Sequence, residues 1–245
     1  MSKLTLFLFI LLCPAVDAGQ APLSYFTEFW RLNTGTGTEN RGSINNENLA
    51  MYRMSWVSGK YGYGTYGSGY NYGGTYGSMK AIGYAGSPLQ VTDTGAFTYS
   101  AWMKADHNYF YPNMASMNSP TSFFQLRMKD NNSTIETYIL SSSVDVPLPA
   151  GANIYEWFHF VFTYNNKVVN FYFNGARFGG YTATGSASVS ANEALCISSY
   201  GCDGTATNWK GWTDEVGFNN VRALSSAEIR HLYDEGESRH AVTRH

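Results

Sequence analysis

The chain has 245 residues, with 16 basic and 18 acidic side chains and a formal net charge of −2. Charged residues make up 14% of the sequence, whereas aromatic residues reach 16% and glycine numbers 25. This composition argues against a nucleic-acid-binding protein, which needs a basic surface, and against a coiled coil or a charged disordered chain. It favours one aromatic-rich globular domain, since β-sandwiches reach about 200–250 residues as a single unit.

The first 18 residues have the pattern of a secretory signal peptide. Lys3 supplies a positive charge, residues 4–12 form an apolar run, and Val16 and Ala18 are small side chains just before a cleavage site. The apolar run is shorter than the ~20 residues that a membrane-spanning helix needs. We therefore expect residues 1–18 to be removed, leaving a secreted, extracellular protein with no membrane span.

Residues 61–77 are rich in tyrosine and glycine, with six tyrosines and seven glycines. Glycine loosens the backbone, whereas tyrosine offers flat amphipathic faces that stack on sugars or on other chains. The first part of the segment alternates as a strand does. Two interpretations stay open: a strand whose tyrosines pack on the sheet, or a ligand-binding loop in which Tyr70 and Tyr72 are exposed.

Several later segments have the length, alternation and aromatic content of β-strands. Asparagine-containing turns at 164–167 and 174–175 join the last of them into hairpins. Tyr109 and Tyr111 lie in a turn-rich stretch between the first two strands and are further candidates for exposed aromatic side chains. The predicted strands are 96–104, 122–128, 134–140, 157–164, 168–173 and 176–181.

The polar run 129–134 contains two overlapping glycosylation sequons, at Asn131 and Asn132. A polar run between two strands marks a surface turn, where a glycan can be accommodated. We expect one of the two asparagines to be glycosylated if the chain passes through the secretory route.

The strand at 157–164 is apolar on both faces, with His159 and Val161 on one face and phenylalanines on the other. This pattern is typical of an interior strand that is covered on two sides. His159 is therefore interpreted as a core histidine with a hydrogen-bond partner. A catalytic role is the weaker alternative, because no nucleophile accompanies it.

Cys196 and Cys202 are the two cysteines that remain after signal-peptide removal. In an oxidising compartment their spacing predicts one disulfide that closes a short loop. Metal ligation and a reactive thiol are the alternatives, but no histidine or third cysteine lies nearby in the sequence. A loop this short removes little entropy from the unfolded chain, so the bridge should fix a local loop.

Ser225 and Glu228 form a capping box in front of an apolar stripe at helical spacing. They predict one short C-terminal helix that stops at Gly236, followed by a flexible polar tail over residues 236–245. Many short strands with one terminal helix predict an all-β fold. We expect residues 19–235 to form a two-sheet antiparallel jelly-roll sandwich.

Three stretches carry a distinctive pattern. In residues 96–104 a Phe-Thr pair leads to a tryptophan; residues 157–164 and 169–175 form a hairpin with a Tyr-x-Asn-Gly turn; and residues 211–216 precede a helix start at 222–229. Together they resemble the early strand, the central hairpin and the closing strand with helix of the laminin-G-like, concanavalin A-like jelly-roll family. A weaker fourth match, at 30–33 and 59–63, is similar to its opening strands.

The resemblance implies two curved antiparallel sheets in an extracellular module that binds carbohydrate or another protein. Some family members hold calcium with an aspartate of the closing strand, which corresponds to Asp214, and with backbone carbonyls. The alternative is that Asp214 caps a turn or pairs locally. We also expect the tryptophans of the three stretches, Trp102, Trp157 and Trp212, to share one interior.

The acidic residues give no pair suited to glycoside hydrolysis, which needs two carboxylates about 5–10 Å apart. Asp214 and Glu215 are adjacent in a strand and point to opposite faces, and Glu136 is the only carboxylate in its strand. No serine or cysteine lies in a recognisable nucleophile motif. We therefore expect no enzymatic activity.

Ligand binding is then the leading function, and aromatic rings with nearby polar groups suit carbohydrate. We predict a lectin-like module that recognises carbohydrate or an extracellular glycoprotein. The alternative is a self-associating structural subunit of a matrix, coat or filament, because tyrosine-rich surfaces with few charges bury well in interfaces. The candidate ligand-binding residues are Tyr70, Tyr72, Tyr109, Tyr111 and Trp209.

Overall fold

The computed structural model describes residues 23–68, 77–82, 87–106, 112–118, 123–129, 132–140, 142–186, 194–200, 202 and 208–242. These residues form a set of β-strands, one turn of 3-10 helix at Leu23–Tyr25 and one α-helix. The elements are β1 (Glu28–Trp30), β2 (Glu39–Arg41), β3 (Asn48–Tyr52), β4 (Met54–Ser58), β5 (Tyr63–Ser68), β6 (Ser78–Ile82), β7 (Ala96–Ala105), β8 (Asn113–Asn118), β9 (Phe124–Lys129), β10 (Thr134–Ile139), β11 (Ser142–Pro147), β12 (Phe158–Asn165), β13 (Val168–Phe173), β14 (Ala176–Thr182), β15 (Ala194–Ile197), β16 (Lys210–Asn219) and α1 (Ser226–Val242).

The strands form two antiparallel sheets that pack against each other. Sheet 1 has the order β14-β13-β12-β7-β16-β5-β4, with β1 also paired to β16, and sheet 2 has the order β11-β10-β9-β8-β15-β6-β3-β2. Consecutive strands such as β7 and β8 lie in different sheets, so the chain crosses between them as in a jelly roll. The predicted all-β, two-sheet antiparallel sandwich with one C-terminal helix is confirmed.

The core lies between the inner faces of the two sheets. The ring of Phe97 on β7 is 5.2 Å from that of Phe162 on β12 and 5.5 Å from that of Phe124 on β9, so it joins both sheets. Alternation along β12 sends its phenylalanines to this core and His159 and Val161 to the outer face of sheet 1. Because α1 covers that outer face, β12 is the two-sided interior strand that its sequence predicts.

The helix begins as the capping box predicts. The Glu228 carboxylate accepts from the Ser225 amide N–H at 2.8 Å, and the Ser225 hydroxyl accepts from the Glu228 amide at 3.3 Å. Ile229 and Leu232 then pack with Val161 in a second apolar cluster on the outer face of sheet 1. No helix among the described residues is long and apolar enough to span a membrane.

The predicted helix end at Gly236, with a tail beyond it, is wrong: α1 continues to Val242. Gly236 lies where α1 presses on sheet 1. A Cβ atom there would be 2.5 Å from Cζ2 of Trp102 and 2.8 Å from Oη of Tyr61. The glycine therefore permits a close approach and does not end the helix. Its helix-propensity cost of about 1 kcal/mol is offset by tertiary packing.

The expectation that three tryptophans share one interior is also wrong. Phe97, Tyr99 and Met103 of β7 face the core, so alternation puts Trp102 on the outer face, beneath α1. Trp212 lies on the same outer face and is half-buried, and Trp157 is half-buried just before β12.

Three further local predictions agree with the structure. The predicted strands correspond to β7, β9, β10, β12, β13 and β14, and the first part of the tyrosine- and glycine-rich segment forms β5. Cys196 and Cys202 form the predicted disulfide, with Cα atoms 4.9 Å apart. The predicted signal peptide, residues 1–18, lies outside the described residues.

Candidate functional site

Three strands of sheet 1 meet at one end of the sandwich. β5 ends where β16 begins, with Ser68 opposite Lys210, and β7 ends beside them, with Ala105 opposite Gly211. In the sequence, segment 69–76 follows β5, and segment 107–111 follows Asp106. They carry four of the predicted ligand-binding residues, Tyr70, Tyr72, Tyr109 and Tyr111, which lie outside the described residues.

The outer face at this end carries a group of five half-buried side chains that we call the aromatic shelf. They are Tyr66 of β5, Lys104 of β7, Asp106 directly after β7, and Lys210 and Trp212 of β16. The rings of Tyr66 and Trp212 are 5.0 Å apart and inclined by 57°. The Lys104 ammonium lies 5.1 Å from the centroid of the Trp212 ring. Two rings and three charged groups thus share one accessible surface.

Asp106 links the ring pair to the second lysine. Its carboxylate accepts a hydrogen bond from the Tyr66 hydroxyl at 2.7 Å and lies 3.6 Å from the Lys210 ammonium. Burial, followed by the hydrogen bond to Asp106, raises the pKa of Tyr66 to about 12, so its hydroxyl stays protonated as a donor. These contacts hold the Tyr66 ring in place.

Gly211 permits the strand packing that places Trp212. Its φ of 150° is unfavourable for other residues, and a Cβ atom there would overlap the carbonyl oxygen of Lys104. β16 therefore approaches β7 closely just before Trp212, which brings the Lys104 and Trp212 side chains together.

Trp209, the fifth predicted ligand-binding residue, does not present a free ring. It is 1% exposed, its ring packs edge-on against Phe158 at 6.3 Å, and its indole N–H donates to the Trp212 carbonyl at 3.3 Å. The prediction of an exposed stacking ring at Trp209 is wrong, because the residue enters the core before β16 begins. Trp209 supports the shelf from within.

The sequence reasoning missed the five residues of the shelf. A partial signal was present, since Trp102 and Lys104 are spaced by two on the predicted strand 96–104 and therefore share a face, and Trp212 lies in the predicted closing strand 211–216. That spacing does not show that the two strands are neighbours, which is a property of the sheet order.

Asp214, the predicted calcium ligand, is fully buried and surrounded by hydrogen-bond donors. Its carboxylate accepts from the amide N–H of Glu215 at 2.8 Å and of Tyr61 at 3.0 Å. The pKa of Asp214 is raised well above its usual range, mainly by burial and secondly by the nearby Glu215 charge. The hydrogen bonds from the backbone amides oppose this shift. Calcium needs six to eight oxygen ligands, whereas the described backbone groups that contact this carboxylate are N–H donors. These surroundings do not fit calcium, and they fit the local-pairing interpretation.

His159 is a buried histidine with a partner, as predicted. Its Nε2 is hydrogen-bonded to the Ser100 hydroxyl at 2.8 Å, and its ring lies 5.1 Å from that of Trp102. Burial, followed by the charges of Arg239 and Lys60, lowers its pKa to about 3. Ser100 is 59 residues away along the chain, so this partner could not be predicted from the sequence. The adjoining cavity of about 10 Å³ has room for about one water molecule, far less than a substrate needs.

The outer face of sheet 2 brings two carboxylates from neighbouring strands together. Glu136 and Asp145 are opposite each other on β10 and β11. The sequence of β10 does not show this pair, because Glu136 is the only carboxylate of that strand. Glu136 pairs with Arg127 and Tyr138, and Asp145 lies 2.6 Å from the Lys129 ammonium. Burial acts to raise the pKa of Glu136, but its hydrogen bonds from Arg127 and Tyr138 lower it overall.

The two sequons differ in what the structure shows. Asn132 is 7% exposed, has a φ of 65°, and lies with its side-chain amide 3.5 Å from the Tyr155 hydroxyl. Asn131 lies outside the described residues. The amide nitrogen that a glycan would modify is therefore buried in the folded chain at Asn132.

Comparison with known families gives a match over residues 80–230, to the concanavalin A-like lectin/glucanases superfamily. The match covers more than half of the 245 residues. The chain belongs to this superfamily. The resemblance read from the three stretches is thereby confirmed. A comparison with curated proteins finds no match.

Solved structures show the same fold at low sequence identity. Domain 4 of AbnA, a GH43 extracellular arabinanase from Geobacillus stearothermophilus solved with arabinotriose, matches with a TM-score of 0.64 and 14% identity over 85% of this chain and 98% of that one. The binding domain of Paraclostridial Mosquitocidal Protein 1 matches with a TM-score of 0.66 and 15% identity, over 85% of this chain and 51% of that one. Trypanosoma rangeli sialidase matches with a TM-score of 0.68 and 15% identity, over 92% of this chain and 36% of that one. The chain thus spans about half the length of the mosquitocidal binding domain and about a third of the length of the sialidase.

Proposed function

We propose that this protein is a secreted, non-catalytic carbohydrate-binding module that binds glycans at the aromatic shelf. The observation that carries the proposal is the pairing of Tyr66 and Trp212 on an accessible face, beside Lys104 and Asp106. Domain 4 of the arabinanase was solved with arabinotriose and is covered almost entirely by this chain, which supports a sugar as the ligand.

The chemistry of the shelf suits a sugar. The C–H face of a sugar ring packs on an aromatic ring, and its hydroxyls need donors and acceptors at the edge. Trp212 supplies the aromatic surface, Lys104 and Lys210 are donors, and Asp106 is an acceptor.

The non-catalytic part of the proposal rests on the state of the carboxylates. A glycosidase needs one protonated carboxyl near neutral pH as its general acid. Glu136, whose pKa is lowered, and Asp145, which is paired with Lys129, do not meet this need. Asp214 and Glu215 have raised pKa values but are buried, out of reach of a substrate.

A glycan-binding assay with two variants tests the proposal. Trp212→Ala should lower affinity for any glycan that the protein retains by about tenfold or more, since a well-placed aromatic contact contributes about 1–2 kcal/mol. Tyr52→Ala is the matched control, because Tyr52 is a 48% exposed tyrosine that belongs to sheet 2 and is not part of the shelf. Absence of binding to every glycan of a broad array, or equal losses in the two variants, would contradict the proposal.

Calcium has no part in the proposed binding, because the described surroundings of Asp214 offer N–H donors to its carboxylate. Affinity and melting temperature should therefore be equal in calcium and in a chelator. A glycan affinity that disappears with the chelator would show that the metal is required.

The second candidate function is self-association as a structural subunit. The observation that favours it is β14, a largely accessible edge strand of sheet 1 whose pairing partner among the described strands is β13 alone. Light scattering with negative-stain microscopy separates the two functions. Ordered polymers that dissociate when Thr182→Lys places a charge at an exposed position of β14 would favour assembly, whereas a monomer that binds glycans favours the lectin-like module.

A further inference from the structure

Two lysine–tryptophan pairs lie on the outer face of sheet 1. The Lys60 ammonium is 4.3 Å from the Trp102 ring centroid, and the Lys104 ammonium is 5.1 Å from that of Trp212. Trp102 and Lys104 are two residues apart on β7 and so point to the same side. The chain therefore presents the same pair of groups twice, in two different settings.

The first pair is completed by a carboxylate of the protein itself. Glu237 on α1 lies 2.7 Å from the Lys60 ammonium, and the Lys60 side chain is 4% exposed beneath the helix. This arrangement of tryptophan, lysine and carboxylate shows how an anion is held at such a pair: the ring positions the ammonium from one side and the carboxylate approaches it from another.

The second pair has no such carboxylate from the described residues. Lys104 is half-buried, and its ammonium forms no hydrogen bond or ion pair with a described residue. A cation–π contact leaves the three N–H donors of an ammonium available. The neighbouring carboxylate, Asp106, is already engaged by Tyr66 and Lys210. With two lysines and one aspartate, the shelf has a formal charge of +1.

We propose that the aromatic shelf binds acidic glycans, with the carboxylate of a uronic or sialic acid on Lys104 and the sugar ring against Trp212. The ligand carboxylate takes the position relative to Lys104 and Trp212 that Glu237 takes relative to Lys60 and Trp102. This inference rests on the proposed function of the shelf and specifies its ligand class. An acidic sugar is favoured over an acidic peptide because one sugar unit carries both a ring for the aromatic surface and a carboxylate for the lysine.

The test uses acidic glycans and their uncharged methyl esters as matched ligands. Oligogalacturonate, oligoglucuronate and sialyllactose are each compared with the corresponding ester by isothermal titration calorimetry, at low and at high salt and with a chelator present. We expect at least one acid to bind roughly tenfold more tightly than its ester at low salt, and the ratio to decrease as salt screens the charge.

Lys104→Met should bring the ratio of acid to ester affinity close to one, whereas Lys104→Arg should keep most of it. Lys80→Met is the control, because Lys80 is a half-buried lysine on sheet 2 and its loss should leave the ratio unchanged. Circular dichroism and melting temperature establish that each variant is folded.

The outcomes separate this inference from the proposed function. Equal binding of acids and esters overturns the preference for acidic sugars and leaves glycan binding intact. A lack of binding to all ligands, acids and esters alike, together with a silent glycan array, overturns both. A glutamate-rich peptide that binds through Lys104 more tightly than every acidic sugar also overturns the inference, in favour of a protein ligand.

Discussion

Replacing Gly236 by alanine should destabilise the protein, although the change improves helix propensity. In an unconstrained helix the substitution would stabilise by about 1 kcal/mol. Here the new Cβ atom would lie 2.5 Å from Cζ2 of Trp102 and 2.8 Å from Oη of Tyr61. The Trp102 ring has little room to move, because it stacks on Tyr233 at 5.8 Å and lies 5.1 Å from His159, with Lys60 at 4.3 Å.

Overpacking of this kind costs about 1–3 kcal/mol. After the gain in helix propensity is subtracted, the free energy of unfolding should fall by about 1 kcal/mol. This lowers the melting temperature of a domain of this size by roughly 2–4 °C. Differential scanning calorimetry and urea unfolding measure the change directly.

A double-mutant cycle identifies the cause. In a Trp102→Leu background the Cβ atom of alanine no longer meets an indole ring, so Gly236→Ala should become neutral or stabilising. The reasoning is refuted if Gly236→Ala raises the melting temperature of the wild-type protein, or if its effect is the same in both backgrounds.

Three further predictions concern buried and modified groups. Arg239→Met should lower the free energy of unfolding by about 3–5 kcal/mol, because Arg239 contacts Glu215 through two nitrogens at 2.9 and 3.1 Å and both side chains are buried; a loss below about 1 kcal/mol in urea unfolding would show that the pair is dispensable. His159 has a folded pKa of about 3, below its unfolded value, so the unfolded state binds the proton first and stability falls as the pH drops from about 6.5 towards 3. Urea midpoints at pH 7 and pH 4.5 should therefore differ less in His159→Gln than in the wild type, even though the raised pKa of Glu215 acts in the opposite direction; equal pH dependence in the two proteins would contradict this. In a eukaryotic secretory host, mass spectrometry should find glycan on Asn131, since the Asn132 amide is buried against Tyr155; occupancy at Asn132 alone would count against it.

Features that depend on residues close together along the chain could be predicted without a structure. The alternation of residues 157–164 was enough to assign the two faces of β12, because successive side chains of a strand point to opposite sides. The capping box between Ser225 and Glu228 fixed the start of α1, since its hydrogen bonds span only three residues. The Cys196–Cys202 pair is likewise local.

The end of α1, the outward-facing tryptophans and the composition of the shelf depend on contacts between distant parts of the chain. Gly236 stays helical because contact with Trp102 and Tyr61 outweighs a propensity difference of about 1 kcal/mol. Tyr66, Lys104 and Trp212 come from three strands that are distant in sequence, and only the order β7-β16-β5 makes them neighbours. Side-chain proximity across a sheet depends on strand order and register, which are set by the packing of the whole chain and leave no periodic signal in any single segment.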